Sequence, residues 1–400
     1  MTHSNMNSIF KKGLLLMAVV STLALTGCAD DKLSDQMQDD DSMVESYKIG
    51  FIGPLTGNAA AYGQDMLAGV NYYFKQHPTI NGVPVEVVAE DGKCTGQDAA
   101  NAAQKLITVD KVQVIVGAGC SGETLAAAPI AEQNQVVLLS PLSSSPEITD
   151  AGQYIFRNYP SDAQVGATLA NDVVEHGYKK VAILSEQTDY AQAYRATVRE
   201  HFEANAGVEV VVDEAYQVDN TDFRTLLTKV KDAGADVLVS ISQSPVGNGF
   251  TVKQARELGI NIQVYGTDSM TGPEYVDTAK DAAEGSYSVL AAEDSSREGY
   301  QEFAEAIGTP QYAMLFAAFA YDAADIVATA IEKEGYSGEA IRNYLNNMAP
   351  YQGLASDVNF DENGDNQVPA GVLMVKDGDY VVRDDAMMQS GEEKWKGMMP

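Results

Sequence analysis

Residues 116–124 read VGAGCSGET, and within them Gly117, Gly119 and Gly122 spell G-x-G-x-x-G, while Cys120 offers a thiol and Ser121 a hydroxyl. Three chemistries fit such a stretch: a loop cradling a dinucleotide pyrophosphate, a nucleophile, or a seat for a smaller anion at a helix start. VQVIV before it has strand chemistry and ETLAAAPIAEQ after it has helix chemistry. A dinucleotide loop calls for an acid about 20 residues further on to hold the ribose. That neighbourhood here is VVLLSPLSSS, with no acid. Ser121 and the backbone around it are therefore assigned to a carboxylate, and no cofactor is expected.

Other side chains able to do chemistry stand where strand patterns end. GPLTG (53–57), Tyr62, CSG (120–122) and SPLSSS (140–145) provide hydroxyls and free backbone N–H groups, suited to a small anion. Tyr190 after EQTD, Gln243 after SIS and Asp268 after VYGT follow in the second half of the chain, and Asp268 is an acceptor for a cation. Donors on one side and one acid on the other match a zwitterion. Each residue also has a plainer reading: serines after strands cap helices, Asp268 could cap the helix around PEYVDTAKDAA, and tyrosines fill rims and cores.

Enzyme signatures are missing. There is no G-x-S-x-G elbow and no H-E-x-x-H; His3 falls in the leader, and His77, His176 and His201 sit late in helical patterns. DENGDNQ (361–367) has its glycine in the fourth place of a would-be calcium loop and no glutamate in the twelfth, so it reads as a hairpin turn and no metal is expected.

The first 27 residues carry Lys11 and Lys12, an apolar run from Gly13 to Leu25 and no acid, the layout of a secretory signal. LTGC (25–28) resembles a bacterial lipobox, which implies cleavage before Cys28 and lipid on its sulfur. Of the three cysteines, a lipidated Cys28 leaves Cys94 and Cys120 to pair. Each follows a strand pattern, and a bridge closing a loop of ~26 residues is worth about 3 kcal/mol; a Cys120 nucleophile is the competing reading. Residues 29–46 are polar and acidic, a flexible tether. The net charge of -31 makes nucleic acid and anionic lipid poor partners. The apolar segment 311–335 carries Asp322 and Asp325 and reads as a buried amphipathic helix, so the lipid is the expected membrane attachment.

The elements that must position these groups alternate regularly. YKIGFIGPL, VPVEVVAED, VQVIVGAG, VVLLSP, KKVAILSE, VEVVVDEAY, ADVLVSIS, IQVYGTD and GSYSVLAAE read as strands separated by helical patterns, which predicts parallel sheets covered on both faces. A body of roughly 340 residues suits two cores. The expected fold is α/β: two doubly wound lobes joined by crossover hinge strands, with a ligand cleft between them. Lobe 1 takes 47–160 plus 292–350, lobe 2 takes 161–291 plus 351–385, and 386–400 is a tail. GLASDVNFDENGD and GVLMVKDGDYVVR are expected to pair as a closing hairpin.

The ordered series IGFIGPLTGNAAAYGQD, AEDGKCTGQDAANAAQKLI, VIVGAGCSGETLAAAPIAEQ, LLSPLSSSPEIT, IFRNYPSDAQVG and NFDENGD resembles the type I periplasmic solute-binding proteins of the leucine/isoleucine/valine-binding kind, over about 47–385. That resemblance implies a monomeric, exported, lipid-anchored receptor that closes on an L-amino acid and delivers it to an ABC permease. It implies a carboxylate held by Ser121 and the Ser144 hydroxyl with backbone near Leu142, an ammonium met by Asp268 and Tyr190, an aromatic contact from Tyr62, and a Cys94–Cys120 disulfide. Where the branched-chain receptors carry a tyrosine, this chain has Gln243, which leaves the side-chain preference open.

Overall fold

The computed structural model describes residues 45–292 and 294–383; the expected leader, Cys28, most of the tether and the tail lie outside the described residues. The first sheet is built in chain order from β1 (Tyr47–Gly53), β2 (Thr79–Ile80), β3 (Val83–Asp91), β4 (Val114–Gly117), β5 (Val137–Ser140) and β6 (Ile155–Arg157), lying side by side as β2-β3-β1-β4-β5-β6. Apart from the antiparallel β2–β3 edge, every pair is parallel. Helices α1 (Ala60–Gln76), α2 (Gly96–Thr108) and α3 (Ser121–Gln133) make its crossovers.

After β6 the chain enters the second lobe with α4 (Asp162–Glu175), β7 (Lys180–Glu186), α5 (Asp189–Ala204), β8 (Glu209–Tyr216), α6 (Arg224–Asp232), β9 (Val237–Ile241), α7 (Pro245–Glu257), β10 (Gln263–Gly266), α8 (Pro273–Ala279) and β11 (Tyr287–Ala291). It then returns to the first lobe through α9 (Tyr300–Ile307), α10 (Met314–Glu334), α11 (Gly338–Asn347) and the short strands β12 (Tyr351–Gln352) and β13 (Asp357–Val358). The hairpin of β14 (Ala370–Lys376) and β15 (Asp379–Val382) completes a second sheet ordered β15-β14-β11-β10-β9-β7-β8.

Burial explains why these runs are strands. Residues of β4, β5 and β9 are buried without interruption, as a parallel strand covered on both faces requires. Alternate side chains feed different cores. Ile49, Phe51, Val114 and Val116 pack under α1 and α10, whereas Ile52 and Ile115 pack under α2 and α3. In the second lobe Val181 and Ile183 face α4 and α5, and Ala182 and Leu184 face α6 to α8. Each fully buried aliphatic contributes about 1.5–3 kcal/mol. Helix α10 is long and apolar enough to cross a membrane, but most of it is buried inside the first lobe. Its acids are satisfied there: Asp322 accepts the N–H groups of Leu354 and Ala355, and Asp325 accepts the hydroxyls of Tyr73 and Tyr351.

Two expectations about the end of the chain need correction. GLASDVNFDENGD and GVLMVKDGDYVVR do not pair with each other: β12 pairs with β13, and the paired residues of the β14–β15 hairpin all come from the second segment. The DENGDNQ turn instead presents Asp365. Asp361 Oδ1 accepts the N–H groups of Asn363 and Asp365, and the Asp365 carboxylate then meets Arg157, both partners buried. The stretch 351–368 packs Leu354, Ala355, Val358 and Val368 into the first lobe's core, so the chain leaves that lobe near Pro369, later than 351. The three crossings lie side by side. Arg157 N–H donates to Gly364 O (3.0 Å), Asn366 Nδ2 to Asn158 O (3.0 Å), and Ala292 N–H to Pro369 O (2.7 Å).

Candidate functional site

One pocket opens between the carboxyl ends of the two sheets, where doubly wound folds place ligands. All seven side chains picked from the sequence line it: Tyr62, Ser121, Leu142, Ser144, Tyr190, Gln243 and Asp268. The lobes touch across it. Tyr62 Oη donates to Gln243 O (3.0 Å), Asn58 Nδ2 to Asp219 Oδ1 (2.5 Å) and Gln243 Nε2 to Cys94 Sγ (2.9 Å). The Cys94–Cys120 disulfide is formed, with Cα atoms 5.3 Å apart, and Cys120 is part of the pocket wall.

The glycine fingerprint owes its residues to packing. Gly117 has φ of +135° and a Cβ there would lie 2.1 Å from Ile52 O; one on Gly119 would strike Pro54 and Met66. A Cβ on Gly122 would come 2.5 Å from Asp189 Oδ2, at the start of α5 in the other lobe. The loop thus brings the N-terminus of α3 to the pocket wall, where a helix start favours an anion. Ser121 Oγ accepts the N–H of Ser145 (3.2 Å), which leaves its proton free to donate.

Asp268 faces this helix end from the second lobe. Tyr159 and Tyr190 hydroxyls donate to its two oxygens at 3.1 and 3.2 Å, and Tyr312 Oη donates to its carbonyl at 2.7 Å. Apart from the face it turns to the pocket, the carboxyl is enclosed, and that desolvation raises its pKa against the pull of the two tyrosines. Asp162 lies nearby, and burial first and Asp268 second push its pKa well up. Among the described residues no lysine, arginine or histidine comes within ion-pair distance of either acid; the deeply buried ion pairs are Arg157–Asp365 and Arg383–Asp172. The far wall is apolar and aromatic. Tyr62 packs edge-on against Tyr312 (4.5 Å) and Phe316 (5.4 Å).

Sequence reasoning missed Tyr159, Tyr312, Phe316, Ser269 and Asp162. Tyr159 and Asp162 fall in YIFRNYPSD, which marked only the lobe boundary. Tyr312 and Phe316 are an i, i+4 aromatic pair at the head of an apolar helix and look like core from the pattern alone.

Behind the pocket Glu123, 0 % exposed, ties the loops together by accepting the N–H groups of Cys94, Gly119 and Cys120. Burial pushes its pKa up to about 7 against those bonds, and burial likewise pushes Asp322 up to about 7. Both hold a proton in the folded chain at pH values where the unfolded chain has released it. The folded state therefore binds more protons between about pH 4.5 and 7, and stability falls as pH rises through that window. We expect a lower melting temperature at pH 7.5 than at pH 5.5, each group accounting for on the order of 2 kcal/mol. Glu123→Gln should flatten the profile; an unchanged slope in that variant would remove Glu123 from the account.

Two α/β lobes with a pocket between the carboxyl ends of their sheets have the layout of a small-molecule binding protein. The profile of the periplasmic binding protein family matches residues 46–379, and the chain belongs to that family. A relative from Pseudomonas aeruginosa, a leucine-, isoleucine-, valine-, threonine- and alanine-binding protein, is 28% identical over 333 residues, covering 80% of this chain and 87% of the relative. The branched-chain amino acid transporter substrate-binding protein LivJ of Streptococcus pneumoniae, solved with isoleucine, superposes with a TM-score of 0.75 at 28% identity, covering 84% of this chain and 100% of that one. An ABC transporter solute-binding protein of Rhodopseudomonas palustris, solved with 3,4-dihydroxybenzoic acid, gives 0.74 at 26% identity, with 86% and 98% covered.

Proposed function

We propose that this protein is an exported receptor, anchored through a lipid on Cys28, that captures an L-amino acid of the branched-chain or related kind by lobe closure and hands it to an ABC permease. The observation that carries the reading is Asp268, a carboxylate open to the pocket with no cationic partner among the described residues, opposite the N-terminus of α3. An α-ammonium supplies the missing charge and an α-carboxylate fits the helix end. The amino acids named for the Pseudomonas and Streptococcus proteins have this zwitterion in common. An aromatic carboxylic acid is the second reading, favoured by the walls of Tyr62, Tyr190 and Phe316 and by the Rhodopseudomonas neighbour.

The test is a thermal-shift and calorimetric screen of the protein, stripped of bound ligand, against leucine, isoleucine, valine, threonine, alanine, 4-hydroxybenzoate and 3,4-dihydroxybenzoate. A ligand at 100 times its Kd should stabilise by about 2.7 kcal/mol. We expect the shift with amino acids. A shift confined to the benzoates would replace the first reading with the second.

A further inference from the structure

Asp65 stands in the second turn of α1 and is 2 % exposed. Its Oδ1 accepts the N–H of Gln311 at 2.7 Å, and its Oδ2 accepts those of Tyr312 at 2.7 Å and Ala313 at 3.0 Å. Ala313 is the N-cap of α10 and has no side chain able to cap it, so an acid from a neighbouring helix takes that place. Bonds to three successive N–H groups fix the backbone that carries Tyr312. From there the Tyr312 side chain crosses to the second lobe. Its Oη donates to the backbone carbonyl of Asp268 at 2.7 Å, and its ring lies against Gly272, where a Cβ would come 1.9 Å from Cε2. Gly272 has φ of -92°, a backbone any residue adopts, so it is the approach of the ring that requires glycine. Tyr380 Oη holds the Gly272 carbonyl from within the second lobe at 3.0 Å.

Tyr312 is not among the residues that line the pocket; it stands behind Tyr62 and Phe316, which are. It is also buried, unlike the exposed Asn58–Asp219 contact across the same cleft. We propose that Tyr312 is the latch between the lobes and that Asp65 is the positioning residue that aims it, so that the pair sets how tightly and how long the cleft holds a ligand neither of them touches. This goes beyond the amino-acid reading, since a latch of this kind serves an aromatic acid equally well.

The experiment is calorimetry and stopped-flow dissociation on the full chain, with the five amino acids and two benzoates named above as probes, beside urea unfolding. Tyr312→Phe keeps the ring and removes the bond to Asp268; it should weaken every probe that binds by the same factor, about 3–10-fold, through faster dissociation. Gly272→Ala puts a methyl where the ring seats and should weaken binding about tenfold, but no further in a Tyr312→Ala background. Asp65→Asn turns an amide toward backbone donors. It should lower both stability and affinity, and in a Tyr312→Ala background the stability loss should remain while the affinity loss disappears. If Asp65→Asn destabilises the fold at unchanged affinity, or weakens binding equally with and without Tyr312, Asp65 only caps α10 and the proposal is overturned. Unchanged affinity in Gly272→Ala overturns it as well. Should Asp65→Asn fail to fold, Asp65→Glu, which keeps the carboxylate but displaces it, is judged by the same two outcomes. If no probe binds the unsubstituted protein, the reading under Proposed function falls and the latch with it; if a probe binds and the variants leave it untouched, only the latch falls.

Discussion

Asp268→Asn should weaken amino-acid binding by about 10²–10³-fold, or about 3–4 kcal/mol, and leave the unliganded protein as stable or more so. The substitution keeps shape and volume, and the hydroxyls of Tyr159 and Tyr190 still find an acceptor. What is lost is the charge opposite the ammonium. In the free protein that charge is held back by burial, so replacing it relieves the unliganded fold. A cation in the pocket draws Asp268 toward its ionised form, so binding releases protons and affinity rises with pH through the raised pKa of the free protein. Calorimetry in buffers of different ionisation enthalpy reads both effects. Undiminished affinity in Asp268→Asn, with the same proton release, would take Asp268 out of the site.

The largest expected loss of stability is at the hinge. Arg157, 0 % exposed, reaches both oxygens of Asp365 at 2.6 and 2.8 Å, the Thr149 hydroxyl at 2.8 Å and Ser145 O at 2.7 Å. Arg157→Met leaves a buried carboxylate without its counter-charge and should cost about 3–5 kcal/mol in urea unfolding. Adding Asp365→Leu removes the stranded charge and should recover most of that loss. If the double variant is no more stable than the single, the cost comes from Ser145 and Thr149 losing their donor.

Much of this architecture can be read in the sequence, for a physical reason. Strands buried on both faces leave unbroken apolar runs such as VIVG and VLLS, and the chain exits each at a predictable end, so residues following those runs gather at one cleft. That is why Ser121, Ser144, Tyr190, Gln243 and Asp268, far apart in sequence, line one pocket. The closing segments were harder because β12 and β13 have two residues each and show no period. Hydroxyl polarity is not a sequence property at all. Ser121 and Ser144 are the same residue type after similar strands, and only the folded structure gives one the Ser145 N–H and the other the Asp162 side chain as its partner.

The seating of α10 against α1 bears on the order in which the molecule is made. Gly69 is so close to Ala317 that a Cβ would lie 2.0 Å from the carbonyl oxygen, and Met66 and Val70 share one core with Phe316 and Ala317. The partners are separated by some two-thirds of the chain. A ribosome therefore releases β1 to β6 long before the helix that covers them, and that half-sheet waits with one face bare while the whole second lobe is synthesised. Such non-local closure slows folding. Nascent chains of this protein should stay protease-sensitive and extended until residue 334 has emerged, which keeps the polymer threadable during synthesis and commits it to a chaperone for that interval.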